Sequence, residues 1–424
     1  MQYENGLFFD KNFQRELKEK FFFADGDESG ARLFFDNSGG SLRLKAAVAA
    51  KAELEAFPDC PDRTHPKAKE LKAIVERGTR ELLEIVFSQD CGSIISELTA
   101  SQTMFHIIGL IMENAPGTNA VVSSLEHPSA FDAVEFYCKK TGKELRVIPA
   151  NPKSGEIEVE EALKLVDKDT CLISVMAASN VSGVINDIAE IAKGARKINP
   201  DIFIVSDAVQ HAPHCPLNVK ELALDGANIA PYKFFGVRGS GYAYVSERVA
   251  KFPHRKLIAK PQEEFALGTS APGNFAAFIK LIDYVAEIGA HFIDSSDRKT
   301  LFREGMERIH LQERALLYRL LEGSEDAPGL RHIKGVTVYA DELPLSRRDL
   351  IAAIGIEGLS STECAEEYEK RGVIVCDRSA DSIYSKRIVK ALGAPGCVRV
   401  SPMHCHGTDD IDKFLKITAK IAGK

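Results

Sequence analysis

Two ionisable side chains lie within one largely apolar stretch near the middle of the protein. Asp207 ends an apolar run that begins at Ile202, and Lys233 stands between Tyr232 and Phe234 just before a glycine-rich turn. Apolar neighbours remove water from an amine, which lowers its pKa and favours imine formation with an aldehyde. A pyridinium cofactor requires such a lysine together with an acid that faces its ring nitrogen. Each residue alone also has an ordinary interpretation, Asp207 as a strand-end cap and Lys233 as a surface lysine.

The segments around these two residues resemble a known signature. DAVQ at 207–210 and YKFFG at 232–236 are similar to the motifs of class V aminotransferases and cysteine desulfurases, which are fold-type I enzymes that use pyridoxal 5'-phosphate (PLP). The resemblance runs from about Phe35 to Lys424. It implies that Lys233 forms a Schiff base with PLP, that Asp207 binds the pyridine nitrogen, and that Gln210 contacts the ring hydroxyl.

Further segments match the same family in the same order. SLEHPS at 124–129 implies that His127 stacks on the cofactor ring, and SNVSG at 179–183 places Asn180 near the ring hydroxyl and the substrate. VRVS at 398–401 resembles a strand whose arginine, here Arg399, grips the substrate α-carboxylate, a task suited to a planar guanidinium. TASQT at 99–103 corresponds to the phosphate cup, where free N–H groups at a helix start favour an anion.

The resemblance therefore implies a complete site. Lys233 and His127 would be catalytic, and Arg399 and Asn180 would bind the substrate. The cofactor-binding residues would be Lys233, Asp207, Gln210, His127, Asn180, Ala100, Ser101, Gln102, Tyr232 and Thr269. In dimeric relatives the position of Thr269 reaches the phosphate of the neighbouring subunit, so we expect a homodimer with shared sites.

The sequence also departs from the family pattern. Most relatives have a hydroxyl residue and a histidine before the lysine, whereas this protein has APY at 230–232. The YKFFG run and PHCPLNV at 213–219 are more similar to a branch of desulfurase-like lyases and aldolases. Asp381, not a cysteine, stands near the position expected for a persulfide-forming thiol. Cys376 is either a displaced nucleophile or a buried thiol at a strand end.

A second cluster, MHCH at 403–406, suggests metal ligands. If these residues lie on one strand, neighbouring side chains point to opposite faces. We therefore predict no metal.

These observations predict a PLP-dependent lyase or transferase that acts on an α-amino acid. The first hypothesis is a cysteine desulfurase-like lyase that uses Lys233 to cleave a C–S or C–C bond in the substrate's side chain. The alternatives are a class V aminotransferase or epimerase, and a non-catalytic protein that keeps the PLP fold.

The elements that must position these residues alternate along the sequence. Apolar runs predict strands at 119–124, 170–176, 202–206 and 241–246, and amphipathic stretches predict helices at 66–87, 129–140, 187–198, 274–288 and 302–321. Asp187 is the predicted N-cap of the third helix. Strand–helix alternation predicts an α/β fold of the PLP transferase type, with a mostly parallel seven-stranded sheet between helices and a smaller α+β C-terminal domain. We expect an N-terminal segment (1–35) packing with the small domain, a large PLP-binding domain (36–270) and a small domain (271–424).

Composition argues against several other kinds of partner. With 54 basic and 61 acidic residues the net charge is −7, which argues against nucleic acid as a partner. No apolar run is long enough for a membrane span, and the nine cysteines form no CxxC pair. We therefore expect a cytoplasmic enzyme with a small amino acid as substrate.

Overall fold

A seven-stranded sheet forms the centre of the computed structural model, which describes residues 2–3, 6–28 and 30–423. Its strands in sequence order are β1 (Ser93–Glu97), β2 (Asn119–Ser123), β3 (Glu144–Ile148), β4 (Thr170–Ser174), β5 (Phe203–Asp207), β6 (Gly226–Ile229) and β7 (Gly241–Val245). Their order across the sheet is β1-β7-β6-β5-β4-β2-β3. Neighbours are parallel except that β7 is antiparallel to β6 and β1. The predicted mostly parallel α/β sheet is confirmed.

The inner strands are largely apolar because both faces of the sheet are covered there. Val121 of β2 and Ile173 of β4 belong to one core. Their neighbours along the same strands, Val122 and Leu172, belong to a second core on the other face of the sheet. Every residue of β2, β4, β5, β6 and β7 is buried. Continuous apolar strands of this kind are typical of parallel sheets between two helical layers.

Helices supply both layers and most of the connections. Those of the described residues are α1 (Lys11–Glu19), α2 (Lys45–Glu55), α3 (Pro66–Glu81), α4 (Ala100–Asn114), α5 (Pro128–Thr141), α6 (Val159–Lys164), α7 (Ile188–Ile198), α8 (Glu247–Ala250), α9 (Pro272–Ala290), α10 (Arg298–Glu322), α11 (Ser361–Glu369), α12 (Lys386–Ala391) and α13 (Thr408–Ala422). A π-helical turn, Leu82–Val86, continues α3. The Asp187 carboxylate accepts a hydrogen bond from the Glu190 backbone N–H and caps α7, as the sequence predicts.

A second, antiparallel sheet lies in the C-terminal part of the protein. Its strands are β8 (Val336–Tyr339), β9 (Ala352–Ile356), β10 (Cys376–Ser379) and β11 (Gly396–Val400), in the order β8-β9-β11-β10. Leu33 and Phe35 from the N-terminal part enter the core of this sheet, whereas Phe13 and Leu17 of α1 enter the large core together with Phe278 of α9. The division of the protein near residue 270 stays a prediction.

None of the described helices is long and apolar enough to cross a membrane.

Candidate functional site

The carboxyl edge of the large sheet carries the predicted acid. Asp207 is the last residue of β5, between the parallel strands β4 and β6, and it is buried. Open α/β sheets place ligands at this edge. Its Oδ1 atom accepts a hydrogen bond of 3.0 Å from the Val209 backbone N–H. Burial raises the pKa of Asp207, while this hydrogen bond and the positive charge of Lys233 oppose the shift.

Lys233 lies in a tight turn directly after β6. The Lys233 N–H donates to the Ala230 carbonyl at 2.9 Å, and the Gly236 N–H donates to the Pro231 carbonyl at 2.8 Å. The next two residues, Phe234 and Phe235, are fully buried and anchor the turn in the core. The lysine is thereby held in one place beside the edge of the sheet.

The Lys233 amine is unusually acidic for a lysine. Desolvation, followed by repulsion from Arg399, lowers its pKa to about 8, although attraction from Asp207 acts in the opposite direction. A much larger fraction of this amine is unprotonated at neutral pH than for a free lysine. The amine is therefore suited to attack an aldehyde.

His127 stands at the start of α5 as a neutral ring. Its Nδ1 atom accepts a 3.2 Å hydrogen bond from the Ser129 N–H, so Nδ1 carries no proton. Desolvation and then repulsion from Lys233 lower the pKa of His127 to about 3. An uncharged, flat ring at this position can stack on another ring without adding positive charge to the site.

A narrow cleft joins most of the predicted residues. Its cavity volume is about 40 Å³, so it is a tight space between the side chains. It is lined by Ala100, Ser101, His127, Ser129, Met176, Asn180, Asp207, Val209, Gln210, Tyr232 and Lys233. Sequence-distant segments thus meet at one point, the carboxyl edge of the central strands.

Two buried amides face this cleft with unused oxygen atoms. Asn180 Oδ1 and Gln210 Oε1 have no hydrogen-bond partner within the described part of the protein. Buried polar atoms almost always have a partner, so these two atoms indicate a polar ligand between them. A ring that bears a hydroxyl group, as the sequence predicts, would meet this requirement.

The start of α4 forms another wall of the cleft. The Thr99 hydroxyl caps this helix by accepting from the Gln102 N–H at 3.2 Å, and Ala100 and Ser101 line the cleft. A Cβ atom added to Gly241 would lie 2.2 Å from the Ala100 backbone N, so only glycine lets β7 approach the helix start this closely. The Gln102 amide does not reach the cleft; it contacts Thr99 and lines a different surface pocket.

Arg399 approaches the site from the small sheet. Its guanidinium donates to the Asn180 carbonyl at 3.0 Å and to Asp36 Oδ1 at 2.6 Å, and Asn180 is a residue of the cleft. These two contacts fix the orientation of the guanidinium, whose Nε atom is buried without a partner among the described residues. Arg399 can therefore bind a carboxylate at the cleft.

Besides Gln102, three positions singled out from the sequence do not join the cleft. Thr269 is exposed, and its hydroxyl donates to Asp62 at 3.0 Å in another pocket. Cys376 opens β10 but is only half-buried, so its interpretation as a buried thiol is wrong. Asp381 is exposed in the loop after β10. Among the described residues no cysteine lines the cleft.

The 403–406 cluster does not lie on a strand, contrary to the expectation. The backbone turns after β11, and all four residues are buried. His404 Nε2 lies 2.7 Å from the Tyr284 hydroxyl, and the Met403 N–H donates to His406 Nδ1 at 3.0 Å. These histidines form hydrogen bonds within the protein, and no group of residues in the described ranges could hold a metal.

A buried ion pair behind the cleft was missed by the sequence analysis. His214 Nε2 lies 3.3 Å from Gln210 Nε2, and His214 Nδ1 lies 2.6 Å from Glu313 Oε2 on α10. Burial opposes the charge on both groups, but the attraction between them prevails; it raises the pKa of His214 and lowers that of Glu313 to about 2. PHCP at 213–216 marked the histidine, but nothing local marked a partner 99 residues away.

Removing the acid of this pair should weaken the fold. Glu313→Ala leaves a buried histidine without its counter-charge, and we expect a loss of about 3 kcal/mol in the free energy of unfolding. Urea denaturation of the variant and of Glu307→Ala, an exposed control on the same helix, measures the difference. Equal midpoints for the two variants would contradict the assigned pair.

Comparison with known families identifies the fold and the enzyme class. The sequence profile described as Aminotransferase class-V matches residues 33–414. The protein belongs to the class V aminotransferase family. Members of this family are PLP-dependent enzymes, and the predicted membership is confirmed.

Several class V proteins are similar to this one. A cysteine desulfurase of Haloferax volcanii is 24% identical over 78% of this protein and 76% of its own length. Cysteine desulfurase IscS of Dictyoglomus turgidum is 28% identical over 48% of this protein, a match that spans only 51% of that relative. Selenocysteine lyase of Bos taurus is 28% identical over 55% of this protein and 56% of its own length.

Solved structures share the architecture. The cysteine desulfurase from Thermococcus onnurineus NA1 superimposes with a TM-score of 0.78 at 22% identity, covering 92% of this protein and 95% of that one. Cysteine desulfurase CsdA from Escherichia coli gives 0.77 at 17% identity, covering 96% and 98%. These likenesses support the fold.

Proposed function

We propose that this protein is a PLP-dependent lyase that cleaves a C–S or C–C bond in the side chain of an amino acid. The observation that carries the proposal is the pairing, in one cleft, of a lysine whose pKa is lowered to about 8 with a buried acid at the end of β5. The similar proteins named cysteine desulfurase and selenocysteine lyase support this reaction class.

The residues of the cleft fit PLP. Lys233 would hold the cofactor covalently, Asp207 would accept a hydrogen bond from the protonated ring nitrogen, and the unpartnered oxygen atoms of Asn180 and Gln210 would serve the ring hydroxyl. The start of α4 at Ala100 and Ser101 offers backbone N–H groups for the phosphate. Tyr232 lines the same cleft, where most relatives have a histidine.

The residues then divide the chemical work. When bound, PLP would supply an electron sink, which accepts the electron pair released when a bond within the substrate breaks. Arg399 binds the α-carboxylate and orients the substrate. Asp207 would keep the ring nitrogen protonated. The Nζ atom of Lys233 would move a proton at the substrate Cα.

The positions of the cysteine thiols bear on how the substrate bond is cleaved. Because no cysteine lines the cleft within the described residues, direct elimination is favoured over transfer of sulfur to a protein thiol. Incubation with L-cysteine, cystine and related thio-amino acids, followed by assays for sulfide, pyruvate and alanine, tests this. Pyruvate with sulfide supports the proposal, alanine with sulfane sulfur indicates desulfuration, and a requirement for added keto acid indicates transamination and contradicts it.

The lowered pKa of Lys233 predicts how PLP attachment depends on pH. Only the unprotonated amine attacks the aldehyde, so the attachment rate should rise with pH, reach half its maximum near pH 8 and level off above that pH. A lysine with the ordinary pKa of 10.5 would instead give a rate that is still rising at about pH 10. Stopped-flow absorbance of the cofactor-free protein mixed with PLP, from about pH 6 to about pH 10, measures the profile. A rate that keeps rising across this range would contradict the assignment.

We propose further that two copies of the protein pair and that Thr269 of each contributes to the phosphate site of the other. Thr269 is exposed and apart from its own cleft, and the preceding segment exposes Leu257, Ile258 and Leu267. Sedimentation velocity at micromolar concentration should give a dimer; a monomer would contradict this.

The nine free thiols suit a reducing compartment, so we propose a cytoplasmic location, which cell fractionation tests.

A further inference from the structure

An arginine of the small sheet, Arg378, lies near the cleft without a counter-charge among the residues that the structure describes. Arg378 lies on β10, next to β11, which carries Arg399. Its exposed fraction is 8%, and it has no ion pair with any of the described residues. Its Nη2 donates to the Tyr384 carbonyl at 3.0 Å, and its Nε is buried without a partner there. A buried guanidinium without an anion is costly, which indicates that a ligand supplies the anion.

The strand register directs this arginine to the same side as Arg399. Cys376 is paired with Arg399 across the antiparallel ladder, and Arg378 lies two residues after Cys376 on the same strand. Directly paired residues, and residues two apart on one strand, project from the same face of a sheet. Arg378 and Arg399 therefore project from one face, and Arg399 on that face contacts the cleft residue Asn180.

The loop that contains Tyr384 accepts a hydrogen bond from Arg378 and reaches the mouth of the cleft. The ring of Tyr384, whose carbonyl accepts from Arg378, lies nearly parallel to the ring of His127, with the centroids 6.3 Å apart. His127 itself lines the cleft. The positive charge of Arg378 contributes to the lowered pKa values of both His127 and Lys233, which places it within electrostatic reach of the reacting groups.

The two arginines differ in what they already bind. Arg399 is compensated by Asp36, and the sequence resemblance assigns it to the α-carboxylate. Arg378 also contacts the thiol of Cys376. After one carboxylate has bound to Arg399, Arg378 still lacks an anion. A substrate with a single acidic group leaves this charge uncompensated.

We propose that Arg378 binds a second acidic group on the substrate, so that the enzyme selects amino acids with an acidic side group, such as a carboxylate or sulfinate, over their neutral counterparts. This assignment rests on the proposed function, because it requires PLP and the amino acid in this cleft. A guanidinium can pair with two oxygen atoms of one anionic group through two parallel hydrogen bonds, and carboxylates and sulfinates both present two such oxygens.

The test compares acidic and neutral amino acids on the PLP-loaded protein. Spectral titration with L-aspartate against L-asparagine, and with L-cysteine sulfinate against L-cysteine, gives dissociation constants. We expect the acids to bind about tenfold more tightly or better, since a charge-assisted hydrogen bond contributes at this level. Equal or tighter binding of the neutral members would overturn the proposal without any variant.

Variants then assign the preference to one residue. Arg378→Met should reduce the acid-to-neutral ratio to about one, and Arg378→Lys should restore part of the ratio. Arg371→Met, at an arginine paired with Glu367 of α11, is the matched control and should keep the full ratio. A ratio that survives Arg378→Met would overturn the assignment. If no PLP binds even to the unaltered protein, the proposed function fails instead, and the cofactor band reports this before any substrate is added.

Discussion

Replacing Lys233 with alanine is expected to lower turnover by about a thousandfold or more. The substitution removes the amine that holds the cofactor and the group that moves the proton at the substrate Cα, and a positioned acid–base group alone contributes about 10²- to 10⁴-fold. Turnover is measured with whichever amino acid gives the largest yield of product. Free PLP in the assay should not restore the rate, because the proton shuttle is still missing.

A matched lysine controls for this substitution. Lys251 is exposed at the end of α8, and Lys251→Ala should keep the full rate and the full cofactor content. If Lys233→Ala retained more than about a tenth of the activity, Lys233 would not be the catalytic amine. Circular dichroism and the urea midpoint confirm that both variants are folded.

Replacing Asp207 with asparagine is expected to lower kcat by about 10²- to 10³-fold while PLP remains bound. Asparagine keeps the shape of the aspartate and can still accept from the Val209 N–H, so the turn after β5 should persist. The amide cannot hold a proton on the ring nitrogen as a carboxylate does, and removal of one preorganised electrostatic partner has an effect of this size. Steady-state kinetics and cofactor content together measure it.

Asp201→Asn is the control for the Asp207 variant. Asp201 is exposed just before the same strand, and its replacement should change neither kcat nor cofactor content. If Asp207→Asn turned over at the rate of the unaltered protein, the acid would be structural. A loss of PLP with kcat per bound cofactor unchanged would also contradict the assigned role.

The central sheet could be predicted from the sequence because its signals are local. Apolar runs such as those that became β4 and β5 are continuous, and Asp187 caps α7 as its position suggested. It could also be predicted that Asp207 and Lys233 line one cleft, because a strand end fixes the first residue locally and a glycine-rich turn fixes the second. Their roles toward PLP stay predictions.

What could not be predicted depends on contacts between distant parts of the protein. The pairing of His214 with Glu313 joins a loop of the large sheet to α10, and neither segment marks the other in the sequence. The unpaired state of Arg378 becomes visible only when burial and every neighbouring acid are known. Gln102 was misjudged for a local reason, since its amide group contacts the capping Thr99 and turns away from the cleft.

The covalent bond between PLP and Lys233 is the claim that the account depends on most. Reduction of the PLP-loaded protein with sodium borohydride makes that bond permanent, and proteolysis with mass spectrometry then locates it. We expect one pyridoxyl group per protomer, on the peptide that contains Lys233. A label on another lysine, or a peptide containing Lys233 recovered without modification from a protein that shows the cofactor band, would contradict it.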